Sequence, residues 1–97
     1  MKKTLEDTVV LMVSDNYKER FVAEYAQTKI RYEKLKHFCD QIEASELATY
    51  KGISHVEEPL HDCPLELLRD QQNAMGVYLH ALEIRAILEH VDLSNVF

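Results

Sequence analysis

The chain has 97 residues, 46% of them hydrophobic and 29% charged, with a formal net charge of −6. This is enough for one folded domain, and the acidic balance excludes a general DNA-binding protein, whose affinity comes from neutralising many phosphates. Two Gly and two Pro leave little room for a turn-rich all-β fold, and no apolar run of about 18 residues is present to span a membrane. The start, MKKTLEDTVVLMV, opens like a signal peptide, but Glu6 and Asp7 interrupt its apolar part and no small-residue cleavage site follows. The expectation is a cytoplasmic protein in which Cys39 and Cys63 are free thiols.

Residues 4–13 form the first predicted element, a short helix. Thr4 with Asp7 three residues on resembles a capping start, and Leu5, Val9 and Met12 or Val13 fall at helical spacing. The β-branched run Thr8, Val9, Val10 leaves a strand as the alternative. Ser14 and Asp15 break the element, and Asn16 can cap the next, with Glu19 placed to close a capping box.

The chain is organised around a long helix over 16–43. Its stripe runs Tyr17, Phe21, Tyr25, Thr28, Tyr32, Leu35, Cys39, Ile42, in steps of three and four. Between Asn16 and Ile42 it also carries Lys18, Arg20, Lys29, Arg31, Lys34 and Lys36, six of the eleven Lys and Arg, against four acids. Such a basic face ordinarily serves as a solvated helix surface. Residues 44–50 read as a fraying continuation or a short extra turn, and 51–62 as a connecting loop long enough to make Tyr50, Lys51 and His55 secondary candidates. Asp62 or Cys63 then caps a second long helix over 64–90, with Pro64 in its first turn. Its stripe is Leu65, Leu68, Gln72, Met75, Leu79, Leu82, Ala86, widened by Tyr78, Ile84, Ile87, Leu88 and Val91. Gly76 permits close approach of another backbone. The fold class is all-α: one domain over 1–97, a short helix and two long antiparallel helices. The apolar side chains off the hairpin seam require a homo-oligomer to cover them.

Tyr17, Arg20, Glu24, Thr28 and Arg31 share one face of the first long helix. Arg31 returns to within about 40° of Tyr17 but stands about 21 Å along the axis. Two such helices, antiparallel about a two-fold axis near Glu24, would bring Tyr17 of one copy to Arg31 of the other. The tyrosine would stack on a base or sugar and the arginine would pair with phosphate. The plainer alternative is a core Tyr17 and a solvated Arg31. His37-x-Cys39 and His61-x-Cys63 suggest zinc, but on a helix residues two apart point about 200° away from each other, so His37 and Cys39 do not readily share a metal, and Cys39 falls on the apolar stripe; no zinc site is expected. There is no nucleophile-and-base pattern, glycine-rich phosphate loop or paired-carboxylate motif, so neither an enzyme nor a cofactor is expected.

The pattern Asn16-Tyr17-x-x-Arg20 … Glu24 … Arg31-x-x-Lys34-Leu35-x-x-Phe38, with Leu67-Leu68-x-x-Gln71 … Met75-x-x-Tyr78-x-x-x-Leu82-x-x-Arg85, resembles a family of small phage proteins. These are labelled as relatives of a crAss-like phage protein and overlap the anti-CBASS sponges. The resemblance runs from Asn16 to about Leu88. It implies an all-helical homohexamer without enzymatic activity, acting in the infected bacterial cytoplasm. There it would sequester cyclic di- and trinucleotides and so starve the defence effector. By position, Tyr17 resembles the stacking residue and Arg31 the phosphate partner, with Lys29 and Lys34 as alternatives. Arg69 and Arg85 are the candidates for a separate trinucleotide site. The long 45–62 connection and the well-formed N-terminal segment depart from the family. The competing reading is a helical adaptor or anti-defence inhibitor that binds a protein.

Overall fold

The computed structural model describes residues 3–53 and 56–96. It contains α1 (Thr8–Met12), α2 (Tyr17–Lys51), α3 (Leu65–Glu89) and a 3-10 turn, Ser94–Val96; no strand forms among the described residues. The first element is therefore helical, and its β-branched run is no obstacle over so few turns. It is shorter than the expected 4–13 because the capping signal precedes the regular helix. The Thr4 N–H donates to Asp7 Oδ2 at 2.9 Å and the Asp7 N–H to Thr4 Oγ1 at 3.3 Å. These reciprocal bonds close a turn, and α-helical geometry begins at Thr8.

Asn16 caps α2 as its position predicts, Oδ1 accepting from the Lys18 N–H at 2.9 Å. Glu19 does not close the box directly. The Ser14 hydroxyl accepts from the Asn16 N–H at 3.1 Å and donates to Glu19 Oε1 at 2.9 Å, relaying the contact. The helix then runs past residue 43 to Lys51, because Ser45 and Ala48 continue the buried stripe of Cys39 and Ile42. It ends at Gly52, whose φ of 72° is left-handed backbone favouring glycine; the Ile53 N–H closes onto Ala48 O at 2.8 Å. At about 1.5 Å per residue the 35 residues of α2 account for the molecule's 54 Å length.

α3 is antiparallel to α2. Tyr25 meets Glu83, Tyr32 lies nearest Gly76, and Asp40 pairs with Arg69, so partners descend on α3 as they ascend on α2. Pro64 occupies the N-cap position of α3 itself, with φ −61° and ψ 144°, one residue after Cys63 and two after Asp62, the expected caps. α3 starts at the level of Arg69's partners, Asp40 and Glu43, so the connection doubles back beside the last turns of α2. There the His61 ring packs edge-on against Phe38, centroids 6.2 Å apart.

The core sits at the α2-start, α3-end half of the hairpin. Phe21, Tyr25 and Ala26 pack with Leu79, Leu82, Ala86, Val91 and Val96, flanked by Val22, Tyr32 and Leu93. The C-terminal tail thus docks on the hairpin through Leu93 and Val96; Phe97 lies outside the described residues. Tyr25 is fully buried and its hydroxyl donates to Glu83 Oε2 at 2.5 Å, fixing the hairpin register. Gly76 accommodates the Tyr32 ring, not another backbone. α1 lies across α2 near Gln27, whose Nε2 donates to the buried Thr8 Oγ1 at 2.9 Å.

Candidate functional site

Tyr17, Glu24 and Arg31 stand seven residues apart on α2. Seven residues are two turns less about 20°, so the three line one flank of the helix at intervals of about 10.5 Å. α3 borders that flank at its Tyr17 end. Tyr17 is 47% exposed in the single chain and so stands outside the hairpin core. Its hydroxyl hydrogen-bonds to Glu89, and two turns on Glu24 accepts a hydrogen bond from the Tyr78 hydroxyl. That bond, more than burial, raises the Tyr78 phenol above its ordinary range.

Arg85 is the cation beside Tyr17 in the same chain. Its guanidinium lies over the Phe21 ring, 4.8 Å from the centroid, a cation–π contact that fixes the plane of the group. Nε and Nη2 then donate to the two Glu89 oxygens at 2.7 and 3.2 Å, a forked pair. Arg85 chiefly, and Tyr17 to a lesser degree, hold the Glu89 carboxyl below the usual carboxylate range. The arrangement offers an exposed ring for stacking, a guanidinium for a phosphate, and polar edges at Glu24 and Tyr78.

The other sequence-predicted residues are placed elsewhere or otherwise engaged. Arg20, on the same part of α2, donates from Nη1 to Ser14 O at 2.6 Å. Thr28 donates to Glu24 O at 2.8 Å within its own helix. Lys29 pairs with Glu33 at 3.6 Å. Lys34 lines a different feature, a cleft of about 720 Å³ between the N-terminal turn and α2, with Leu5, Glu6, Ile30, Glu33 and His37. Arg69 ties α3 to α2: Nη2 contacts Asp40 at 3.0 Å and Glu43 at 3.3 Å while Nη1 donates to Gln72. Lys51 lies over the Tyr50 ring, 5.5 Å from its centroid, at the opposite end of α2 from Tyr17. His55 lies outside the described residues. Sequence reasoning missed Glu89 and Tyr78 as site residues and separated Arg85 from Tyr17. The usable signal was the antiparallel register, which sets the end of α3 beside the start of α2.

The fold and flank define a class: a small helical-hairpin protein with a largely apolar core and an exposed edge carrying Tyr17 and Arg85. The chain belongs to the Sequestin family, whose profile matches residues 15–88. That span coincides with the stretch carrying the resemblance to the anti-CBASS sponges, and the family name denotes a sequestering role. No curated protein and no solved structure matches the chain. Among the described residues no helix is long and apolar enough to cross a membrane, and no group of three or more His, Cys, Asp or Glu is placed to hold a metal ion.

Proposed function

We propose that the protein is a non-enzymatic sponge that sequesters cyclic di- and trinucleotide messengers of bacterial anti-phage defence, withholding them from the CBASS effector in the host cytoplasm. The observation that carries the reading is the half-exposed Tyr17 ring with Arg85 fixed beside it, inside the segment matched by the Sequestin family. In this reading Tyr17 stacks on a base, and Arg85 takes one phosphate. Arg31 of a second copy, brought across a two-fold axis near Glu24, takes the other. A cyclic dinucleotide has matching pseudo-symmetry, with two bases and two phosphates about one ring. Exposed apolar residues on α3, Val77, Ile84 and Leu88 among them, supply a surface through which copies would associate into the homohexamer.

A thermal-shift panel of cyclic di- and trinucleotides, run beside Arg31→Glu, tests the reading. A ligand at a hundred times its Kd adds roughly 2.7 kcal/mol to folding stability. A clear shift for at least one cyclic nucleotide, lost in Arg31→Glu while the oligomer persists, is the expected result. No shift across the panel with an intact oligomer overturns it.

A further inference from the structure

We propose that Glu89 is the resident anion of this site: its carboxylate occupies the guanidinium edge of Arg85 that a ligand phosphate must take, so phosphodiester ligands bind by displacing it. The inference rests on the sponge reading.

The geometry of the pair carries it. Arg85 meets Glu89 through Nε and Nη2, with both carboxylate oxygens engaged at 2.7 and 3.2 Å. The two non-bridging oxygens of a phosphodiester fit the same fork, so the exchange is one bidentate acceptor for another. The Phe21 ring covers one face of the guanidinium, which keeps the group in place when the carboxylate leaves. The same carboxylate accepts the Tyr17 hydroxyl, so displacement also releases that hydroxyl and lets the ring reorient on a base.

The position of Glu89 is otherwise unfavourable. It is the last residue of α3, at the negative end of the helix dipole, and no basic residue stands in that last turn. Arg85 chiefly, with smaller contributions from the Tyr17 hydroxyl and the Lys18 charge, holds the carboxylate against that field, so the site's side chains and not the helix account for it. The backbone beneath it is fixed, because the His90 and Val91 N–H groups both close onto Ala86 O, the latter at 2.9 Å. Displacement is therefore a side-chain rotation. It makes the site selective: a ligand with phosphate replaces what Arg85 loses, whereas a neutral nucleoside does not.

Isothermal titration of cyclic dinucleotides and adenosine into the wild type, Glu89→Gln and Arg85→Gln tests this. Glu89→Gln keeps the size of the side chain and an acceptor for Tyr17 but weakens its hold on the guanidinium. It should bind the cyclic dinucleotides about fivefold more tightly, the scale of a released exposed ion pair. Adenosine should gain nothing, and Arg85→Gln should abolish the advantage. Unchanged or weaker dinucleotide binding in Glu89→Gln overturns the inference and leaves the sponge reading standing. If the wild type binds no cyclic nucleotide, the sponge reading fails, and pyrophosphate with the Arg85 Nε–H resonance decides the inference alone. A shift in Glu89→Gln at concentrations that leave the wild type unmoved supports displacement; no shift in either overturns it.

Discussion

Tyr25→Phe removes one oxygen and tests what holds the two long helices in register. The ring is fully buried and the substitution leaves it in place, so no cavity opens. What is lost is the 2.5 Å bond to Glu83, across 58 residues of sequence. A hydrogen bond to a charged acceptor contributes about 1.5–3 kcal/mol, and Glu83 is only half-buried and regains some water. The expected loss is about 1–2 kcal/mol at pH 7. By urea denaturation the midpoint falls without a change in slope, and the melting temperature drops by roughly 4–16 °C. The bond also fixes a pH dependence. Burial first, and the Glu83 bond second, push the Tyr25 phenol above its ordinary value of 10.0. The folded state keeps this proton where the unfolded chain releases it. The contribution is therefore complete below pH 10 and is lost as pH climbs above that value. The gap between wild type and Tyr25→Phe should close in the alkaline range. Tyr78, shifted in the same direction, is common to both proteins and cancels in the difference. A loss below about 0.5 kcal/mol at pH 7, or a gap that widens above pH 10, would refute the argument.

Gly76→Ala should stabilise the protein by about 0.5–1 kcal/mol in the same assay, since an added Cβ meets the Tyr32 Cε1 at 3.4 Å, ordinary contact, and gains helix propensity. A loss would show that the Tyr32 ring cannot give way. His90 adopts a φ of 59°, a left-handed conformation unfavourable for a residue with a Cβ. His90→Gly should therefore raise stability by about 0.5–1 kcal/mol after the larger unfolded-state entropy of glycine is subtracted, and a decrease would mean that the imidazole makes a compensating contact.

The helical stripes were legible because burial on a helix follows a three-and-four spacing. Phe21, Tyr25, Cys39, Ile42, Leu79, Leu82 and Ala86 are buried as the pattern requires, whereas Tyr17, at the start of the first stripe, and Tyr78, Ile84, Ile87 and Leu88, beside the second, are exposed. The capping residues Thr4, Asp7 and Asn16 were legible for a local reason: each bonds within three residues. The end of α2 was not legible. Ser45 is small and polar and Ala48 is small, so neither reads as part of an apolar stripe, yet both are buried. The site was half legible. Tyr17 and Arg31 announce a face of one helix by their spacing. Arg85 and Glu89 join it only once the hairpin register is known, and that register depends on long-range contacts such as Tyr25 to Glu83.

The remaining apolar surface bears on assembly. α1 and its C-cap expose Val10 and Val13, at 76% and 80%, and α3 exposes Val77 and Leu88, at 72% and 73%. On α3 these fall with Leu67, Ala74, Ala81 and Ile84 at steps of three, four and seven, a narrow stripe of the kind that packs on another helix. The two patches lie on opposite sides of α2, since Gln27, which meets α1, is about 200° around the helix from Tyr25, which meets α3. A single two-fold contact covers one patch on each copy and leaves the other wet. Two different contacts, one per patch, build an assembly larger than a dimer, and when one is two-fold and the other three-fold about intersecting axes it closes as the proposed hexamer. Val10→Glu and Ile84→Glu should therefore each stop assembly, and at different masses by native mass spectrometry: one variant leaving dimers and the other trimers. If both variants keep the wild-type mass, neither patch is an interface. If both give the same intermediate, the patches belong to one contact and the hexamer must be built from some other surface.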